Sequence, residues 1–324
     1  MTEVLIIGGA GMIGRKLADR LATDGTVAGR TIDRLVLQDI VEPAAPAGAP
    51  FETRAVAGDF SKPGLSEQLV ASRPDVIFHL AAIVSGEAEA DFDKGYRINL
   101  DGTRLLLDAI RQVGNGYKPR LVFTSSIAVF GAPFPDAIDD EFHSTPLTSY
   151  GTQKAICELL LADYSRRGFV DGVGIRLPTI CVRPGKPNKA ASGFFSGIIR
   201  EPLNGQEAIL PVPRTVRHWH ASPRAAVGFL VHAASVDLSP LGARRNLTMP
   251  GLSVSVAEQI EALRKVAGDA AVALIREEPN EAVRAIVSGW AQRCNPKRAL
   301  ALGFQPDASF EEIIRIYQQD ELGK

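Results

Sequence analysis

The feature that most limits the possible folds is a glycine-rich turn at the start of the chain. A short apolar run, residues 4–7, leads into Gly8, Gly11 and Gly14, and residues 15–21 have helical spacing. A strand, a glycine turn and a helix in this order let the backbone approach a pyrophosphate, which the helix N-terminus stabilises with its free N–H groups. The spacing Gly-x-x-Gly-x-x-Gly differs from the usual fingerprint, and a tight bend without a ligand is the alternative. The turn predicts a dinucleotide site, provided that other residues support it.

Support comes from the end of the second predicted strand, residues 35–38. Asp39 follows this strand, at the distance at which a carboxylate binds the ribose hydroxyls of an adenosine. A carboxylate repels a 2′-phosphate, and Ile40 and Val41 follow instead of a basic residue, so we expect NAD and not NADP. The third predicted strand runs into Asp59, which either contacts the adenine or caps a helix.

Strands and helices alternate along the first half of the chain. Strands are predicted at residues 4–7, 35–39, 53–57, 76–80, 121–123 and 172–177, and helices at 15–21, 62–72, 87–113 and 148–167. This alternation predicts an α/β fold with a Rossmann-type doubly wound parallel sheet. We expect an NAD-binding domain at residues 1–177, to which residues 224–250 return, and a smaller, mixed α/β substrate-binding domain at residues 178–324.

Composition excludes several classes of function. The 324 residues carry a net charge of −1, which provides no electrostatic footprint for nucleic acid or for an anionic membrane. The cysteines at positions 157, 181 and 294 stand far apart and match no metal or disulfide spacing, so no metal site is expected. No apolar run reaches transmembrane length, and the first strand begins too early for a signal peptide. We therefore expect a cytoplasmic enzyme.

A candidate catalytic group combines Ser126 with Tyr150 and Lys154. On a helix, residues four positions apart share one face, so Lys154 is expected beside Tyr150. A free tyrosine has a pKa of roughly 10, and a nearby ammonium lowers that pKa toward the range of an efficient general base. Ser126 follows a predicted strand at the edge of the sheet where ligands bind, and its hydroxyl can hold a substrate oxygen. A tyrosine and a lysine four apart also occur on ordinary amphipathic helices, so the assignment depends on the nucleotide site.

These motifs occur in the order that is typical of one superfamily. The sequence resembles the extended short-chain dehydrogenases/reductases of the NAD-dependent epimerase/dehydratase type in its glycine turn, Asp39, Asp59, residues 79–82, Asn99, Ser126, Tyr150 and Lys154. The resemblance implies that the last three residues are catalytic and that a homodimer forms through a four-helix bundle. The residues that it implies in NAD binding are Gly8, Gly11, Met12, Ile13, Gly14, Asp39, Asp59, Phe60, Leu80, Ala81, Ala82, Asn99, Tyr150, Lys154 and Pro178. His79, at the end of a buried strand, is expected to be structural.

Two segments of the second half indicate an anionic substrate. The loop after the sixth strand carries the candidate anion ligands Arg183, Lys186 and Asn188, and a solvated surface turn is the alternative. Further on, Arg217 matches the arginine that holds a phosphate in nucleotide-sugar enzymes, whereas His218 stands where those enzymes have an aspartate. An arginine binds a carboxylate in a bidentate fork as readily as a phosphate. We therefore expect Arg217, helped by the loop, to hold a carboxylate.

Together the two segments resemble one branch of the superfamily, the D-erythronate dehydrogenases, which oxidise a four-carbon sugar acid at C2 with NAD. The resemblance implies that the C2 hydroxyl lies between Ser126 and Tyr150 and that the product is a 2-oxo acid. The residues expected to contact the substrate are Ser85, Ser126, Tyr150, Thr179, Arg183, Lys186, Asn188 and Arg217. A nucleotide-sugar epimerase or dehydratase with tightly bound NAD is the alternative. A regulatory NAD-binding protein is disfavoured, because such proteins usually lose the tyrosine or the lysine.

Overall fold

The computed structural model describes residues 1–185 and 192–323. Its strands are β1 (Glu3–Ile7), β2 (Thr26–Val27), β3 (Arg30–Thr31), β4 (Arg34–Asp39), β5 (Glu52–Ala57), β6 (Val76–His79), β7 (Arg120–Ser126), β8 (Ile138–Asp139), β9 (Asp171–Leu177), β10 (Thr179–Ile180), β11 (Ala208–Leu210), β12 (Arg217–Ala221), β13 (Asn246–Thr248), β14 (Leu252–Ser255), β15 (Ile275–Glu277) and β16 (Cys294–Asn295). Its helices are α1 (Met12–Asp24), α2 (Leu65–Val70), α3 (Ser85–Ala90), α4 (Phe92–Gly95), α5 (Gly102–Val113), α6 (Ser149–Arg166), α7 (Gly193–Leu203), α8 (Pro223–Ser235), α9 (Val256–Val272), α10 (Glu281–Ser288), α11 (Lys297–Ala301) and α12 (Phe310–Leu322).

The largest sheet has seven strands in the order β13-β9-β7-β6-β1-β4-β5. Every pairing in it is parallel, so the carboxyl ends of all seven strands lie along one edge. Connections in such a sheet cross over through helices, and ligands bind outside the carboxyl ends. The last strand, β13, comes from the second half of the chain and pairs with β9. The predicted Rossmann-type doubly wound sheet is thereby confirmed.

Helices cover both faces of this sheet because its strands are apolar on both sides. In β1, Val4 and Ile6 belong to one buried cluster, to which α1 and α8 contribute Leu17 and Leu230. Leu5, the residue between them, belongs to a second cluster, which α5 and α6 fill from the opposite face. Alternate side chains of a strand point to opposite faces, so an uninterrupted apolar run is what a strand buried on both sides requires.

A second unit follows β9 and has its own core. A three-stranded sheet in the order β10-β12-β14 joins a parallel pairing to an antiparallel one. Side chains from α7, α9 and α12 form a separate buried cluster around Phe195, Ile260 and Ile313. Within the part of the chain that the structure describes, no helix is both long enough and apolar enough to cross a membrane.

One predicted helix differs clearly from the observed structure. The sequence indicated one helix over residues 87–113, whereas the chain forms α3, α4, a π-helical stretch at Tyr96–Asp101 and α5. The first break lies at Asp91, whose side chain accepts a hydrogen bond of 3.0 Å from the backbone N–H of Lys94 and so caps α4. The π-helical stretch contains Asn99, whose side chain is held by two other segments, as described below. Apolar periodicity does not report such local polar contacts.

Candidate active site

The glycine turn forms a tight backbone cradle beside the end of β6. Gly8 has a φ of +95°, and a Cβ atom at this position would lie 2.7 Å from the backbone nitrogen of Ala81. A Cβ atom at Gly14 would lie 2.2 Å from the carbonyl oxygen of Gly8. Helix α1 begins directly afterwards, and no side chain caps its N-terminus at Gly11. Its first N–H groups are therefore available to an anion, which fits the pyrophosphate of a dinucleotide.

Asp39 lies next to this cradle. One carboxylate oxygen accepts a hydrogen bond of 2.9 Å from the backbone N–H of Ala10, and the other accepts one of 2.7 Å from that of Ile40. Both contacts fix the carboxylate at the mouth of the turn while leaving lone pairs for further donors. The position fits the ribose hydroxyls of an adenosine, as the sequence predicted.

Asp59 and Phe60 lie just after β5, and neighbouring protein groups already contact both side chains. The carboxylate of Asp59 accepts hydrogen bonds from the N–H and hydroxyl of Ser61 and pairs with Arg97 at 2.8 Å. It does not cap α2, which begins only at Leu65. Phe60 is buried, with its ring 5.3 Å from that of His79. Any contact of Phe60 with a cofactor would therefore use its backbone.

His79 is structural, as expected. Its side chain is buried, and its Nε2 atom lies 2.9 Å from the hydroxyl of Thr103. Burial, together with the charge of Lys154, lowers the pKa of His79 to about 3. A neutral imidazole enclosed in this way takes no direct part in chemistry at the surface. The residues that follow, Leu80 and Ala81, are half-buried and bind through their backbone N–H groups to the carbonyl of Ile7.

Asn99 connects the cofactor edge with the helix that carries Tyr150. Its side-chain oxygen accepts from the N–H of Ile83 at 2.9 Å, and its amide nitrogen donates to the carbonyl of Ile83 and to the side chain of Gln153. Only 1% of Asn99 is exposed. These contacts engage both polar atoms of its side chain, so Asn99 fixes the distance between α6 and the loop after β6. Ala82, in the same loop, is half-buried, and Pro178, after β9, is buried.

Ser126 and Tyr150 come together because α6 starts against the turn that follows β7. The hydroxyl of Thr148 caps α6 by accepting from the N–H of Gly151 at 3.1 Å. A Cβ atom at Gly151 would lie 2.2 Å from the carbonyl oxygen of Ala128, so only glycine permits this approach. The Ser126 hydroxyl is then near enough to Tyr150 to favour its phenolate through a hydrogen bond. A substrate hydroxyl can be held by both.

The charges around Tyr150 differ from those expected. Burial raises the pKa of Tyr150 to about 12, and Ser126 and Arg183 act in the opposite direction. Lys154 instead donates to the carbonyl of Thr124 at 2.8 Å, and its ammonium lies 5.8 Å from the centre of the Tyr150 ring. Burial lowers the pKa of Lys154 to about 8. The i and i+4 spacing placed the two side chains on one face, but the cation that acts most on Tyr150 here is Arg183.

Arg183 follows β10, at the start of the second unit, and two hydrogen bonds fix its side chain. Its Nε atom donates to the carbonyl of Ile180 at 2.9 Å, and one terminal nitrogen donates to the hydroxyl of Ser192 at the same distance. In the described part of the chain, no aspartate or glutamate forms an ion pair with its guanidinium. A half-buried guanidinium of this kind beside Tyr150 is available to an anion.

His218 and Thr179 lie near Arg183, together with two aromatic residues. The hydroxyl of Thr179 and the Nε2 atom of His218 share a hydrogen bond of 2.7 Å. The imidazole stacks on Phe195, with 5.2 Å between the ring centres, and Trp290 lies at 5.3 Å. Burial lowers the pKa of His218 to about 4, with a contribution from Arg183. Sequence reasoning missed Trp290, and no motif around it could have placed it near β12.

Arg217 is not part of this group. Its guanidinium donates to the carbonyl of Ser253 at 2.6 Å and forms an ion pair of 2.9 Å with Glu258. Adjacent residues of a strand point to opposite faces, so His218 facing Thr179 directs Arg217 away from it. The structure thus does not bring Arg217 together with Thr179 and His218, and Arg217 as the ligand of the substrate anion stays a prediction.

For the remaining predicted substrate residues, the structure shows no hydrogen bond to Tyr150 or Arg183 among the described residues. Ser85 begins α3 and is half-buried. Lys186 and Asn188 lie outside the described residues. The residues that the structure describes contain no group of three or more histidine, cysteine or acidic side chains that could hold a metal.

Comparison with known proteins identifies the family. The model of the NAD dependent epimerase/dehydratase family matches residues 4–222. The chain belongs to this family. A D-erythronate dehydrogenase from Cupriavidus necator is 51% identical, over 98% of each chain, and one from Haemophilus influenzae is 44% identical, over 97% of this chain and 98% of its own.

Two solved structures agree with the fold. One, described as a nucleoside-diphosphate-sugar epimerase from Agrobacterium tumefaciens, is 67% identical with a TM-score of 0.97, over 99% of this chain and 95% of its own. The holo form of a GalE-like L-threonine dehydrogenase from Cupriavidus necator has a TM-score of 0.84 at 21% identity, over 98% of this chain and 99% of its own, which shows the fold alone. With the family established, the glycine cradle and Asp39 identify NAD as the cofactor.

Proposed function

We propose that this protein oxidises the C2 hydroxyl of D-erythronate, a four-carbon sugar acid, to the 2-oxo acid with NAD. The observation that carries the proposal is the position of Arg183 beside Tyr150, without an acidic partner among the described residues. A small hydroxy acid needs one cation for its carboxylate and one base for its hydroxyl, within a few ångströms of each other. The two relatives described as D-erythronate dehydrogenases support the choice of acid.

The chain's own residues have distinct roles in this proposal. Arg183 binds the carboxylate in a bidentate fork, and this places the adjacent C2 hydroxyl between Ser126 and Tyr150. Ser126 donates a hydrogen bond to the substrate oxygen, and Tyr150 accepts the hydroxyl proton. NAD, when bound, supplies the acceptor for the hydride that leaves C2. Lys154 keeps a positive charge beside Tyr150. Holding the acid in place between Arg183, Ser126 and Tyr150 supplies several kcal/mol of the barrier reduction.

The surroundings of Arg183 favour a small acid over a nucleotide sugar. Thr179, His218 and Trp290 lie close together there, and His218 has the neutral form that a low pKa imposes. The half-buried hydroxyl of Thr179, bonded to the neutral His218, thus offers a hydrogen bond without a second charge, which suits a hydroxyl of a tetronate. Arg217, which would hold a phosphate, is already paired with Glu258.

A nucleotide-sugar epimerase is the second candidate, because the solved structure with 67% identity carries that description. The two reactions differ in their redox balance. An epimerase returns the hydride to its substrate and produces no net NADH, whereas a dehydrogenase produces one NADH per turnover.

The test is to incubate the purified protein with NAD and separate substrates: D-erythronate, L-threonate, L-threonine and UDP-glucose. We expect NADH formation with D-erythronate, at a kcat/KM far above that with L-threonate or L-threonine. Conversion of UDP-glucose to UDP-galactose without NADH formation would contradict the proposal and support the epimerase.

We also infer a homodimer, formed through α5 and α6. Leu159 on α6 is 72% exposed, and Phe92, on α4 and so N-terminal to α5, is 57% exposed. Large apolar side chains at such exposure are typical of an interface. Light scattering of the native protein and of Leu159→Glu tests this, since a dimer in both would exclude this face. The cytoplasmic location stays a prediction.

A further inference from the structure

We propose that Glu158 is a positioning residue of the reaction, which holds the helix of Tyr150 and Lys154 to the strand of Ser126 and supplies the negative charge beside Lys154. The inference rests on the proposed dehydrogenase only for its kinetic readout. It assigns a role to a buried ion pair that takes no direct part in the mechanism above.

Glu158 is a buried carboxylate whose lone pairs are largely used by protein donors. Only 3% of the residue is exposed. Its Oε1 atom accepts from the hydroxyl of Ser125 at 2.6 Å and from the Nε atom of Arg176 at 2.9 Å. Its Oε2 atom accepts from a terminal nitrogen of Arg176 at 2.7 Å. This two-point pairing with a guanidinium fixes both distance and orientation, which a single contact with a lysine would not.

These contacts join three elements at the edge of the sheet where the site lies. Ser125 is the residue before Ser126 on β7, and Arg176 lies opposite Ser125 on β9. Glu158 itself follows Lys154 by one helical turn on α6. A third strand joins the group, because the side chain of Asn246 on β13 donates to the backbone carbonyl of Glu158 at 3.2 Å. A shift of α6 along the sheet would break all of these bonds, so the distance between Ser126 and Tyr150 depends on them.

Glu158 also affects the charge of the site. Burial lowers the pKa of Lys154, and the nearby Cys157 and Glu158 oppose this effect. The ionisable groups that face Lys154 and Glu158 come from several elements: Tyr150 and Cys157 on α6, His79 on β6, and Arg176 on β9, with Arg183 beyond Tyr150. His79 stays neutral, and Arg176 is positive, so Glu158 provides the carboxylate of this group.

The geometry predicts the direction in which the pH profile of kcat moves when a charge of the pair is removed. Glu158→Gln keeps the shape of the side chain but removes its charge and leaves Arg176 unpaired. The more positive surroundings lower the pKa of Lys154, so the limb of the pH profile of kcat that belongs to Lys154 should move to lower pH, by about one unit at an effective dielectric constant of ~20. Arg176→Gln removes the positive partner of Glu158 and should move the limb that belongs to Lys154 to higher pH.

The experiment compares the pH profiles of kcat in the native enzyme and in both variants. Asp307→Asn is the matched control: Asp307 is a buried carboxylate that accepts from the hydroxyl and N–H of Ser222, on the N-cap of α8. We expect the control to lower the melting temperature without moving the profile. If one variant fails to fold, the other still carries the sign of the shift. A profile of Glu158→Gln or Arg176→Gln that coincides with the native one would overturn the proposal.

A second readout does not depend on the substrate. Lys154 is implied to contact the nicotinamide ribose, so the Kd for NAD should rise as the pH passes the pKa of Lys154, which is about 8. In Glu158→Gln this rise should begin about one pH unit lower. If D-erythronate is not oxidised but the pH dependence of NAD binding moves in this way, the proposed substrate fails while the role of Glu158 stands. An unchanged pH dependence of NAD binding would contradict the role itself.

Discussion

The edge of the large sheet that carries the glycine cradle and the face of β12 at the proposed substrate site differ in how well the sequence predicts them. At the cofactor edge, Gly8, Gly14 and Asp39 lie together, as the sequence indicated. On β12, the residue chosen from the sequence, Arg217, points away, and its neighbour His218 faces the site.

The difference has a physical cause. A glycine turn acts through its backbone, so its function follows from the residue type and the order of strand, turn and helix. A strand residue acts through its side chain, and a shift of one position moves that side chain to the other face. Arg183 and Arg217 could both be chosen from the sequence as candidate anion ligands, but the face of β12 on which Arg217 lies could not be predicted.

The largest expected effect is a loss of kcat at Tyr150, which lies between the two regions. Tyr150→Phe removes the proposed base, and kcat should fall about 10³-fold, within the range typical of general acid–base catalysis. The KM for the acid should change little, because Arg183 is unaffected. Tyr164→Phe is the control on the same helix, since its hydroxyl donates to Asp108 on the surface at 2.8 Å. A Tyr150→Phe enzyme with near-native kcat would place the base elsewhere.

The cofactor edge is tested by adding one methyl group. In Gly14→Ala the new Cβ atom would meet the backbone of Gly8 and Gly9 at 2.2 and 2.9 Å, where no side chain can move aside. We expect the Kd for NAD to rise about 100-fold, equivalent to roughly 2.7 kcal/mol. Gly228→Ala, in α8, has no atom within 4 Å of the new methyl group and should bind NAD normally. Fluorescence titration measures both, and equal affinities would contradict the cradle.

The substrate face is tested by a pair of arginine variants. Arg183→Met should raise the KM for D-erythronate about 30- to 100-fold, because it removes a charged partner from a half-buried site. Arg217→Met should change the KM less than about threefold, since it loses only a partly exposed ion pair with Glu258. Steady-state kinetics decide between them. The reverse ranking would restore Arg217 as the carboxylate ligand and make the cofactor edge and the substrate face equally predictable.

The local pattern of apolar and polar residues was sufficient to predict most strands and helices of the large sheet. The six predicted strands of the first half all form, and α6 (Ser149–Arg166) differs by one residue at each end from its prediction. The π-helical stretch around Asn99 could not be predicted, because its cause is a contact with Ile83 and Gln153 that exists only after folding. Trp290 near His218 is of the same kind, since chain segments far apart in sequence meet there.

The electrostatics of the site were the least accessible to sequence reasoning. Spacing placed Lys154 beside Tyr150, yet the hydrogen bond of Lys154 to Thr124 and the approach of Arg183 depend on tertiary structure. Burial raises the pKa of Tyr150 and lowers that of Lys154, in both cases by the same physical effect, the loss of water around the charged form. A pKa depends on such surroundings and not on the residue type alone.

A comparison of stability, separate from the effects on activity and binding, uses the buried histidines of the two regions. Burial lowers the pKa of His79 in the large sheet to about 3, and that of His218 on β12 to about 4. His220 is lowered as well. An unfolded histidine binds a proton below a pH of about 6.5, whereas these folded ones do not until a much lower pH. Stability is therefore fully present above about pH 6.5 and is lost as the pH falls toward 4, by up to about 1.4 kcal/mol per pH unit for each histidine.

Urea unfolding at several pH values between 7 and 4 measures this loss. Substituting one histidine should remove its share of the slope, so His79→Gln and His218→Gln should each flatten the dependence of the unfolding free energy on pH by a similar amount. The large sheet contributes one such histidine and β12 contributes two. An unchanged slope in His218→Gln, with a flatter one in His79→Gln, would mean that β12 admits water and that the substrate face is more open than its packing against Phe195 indicates.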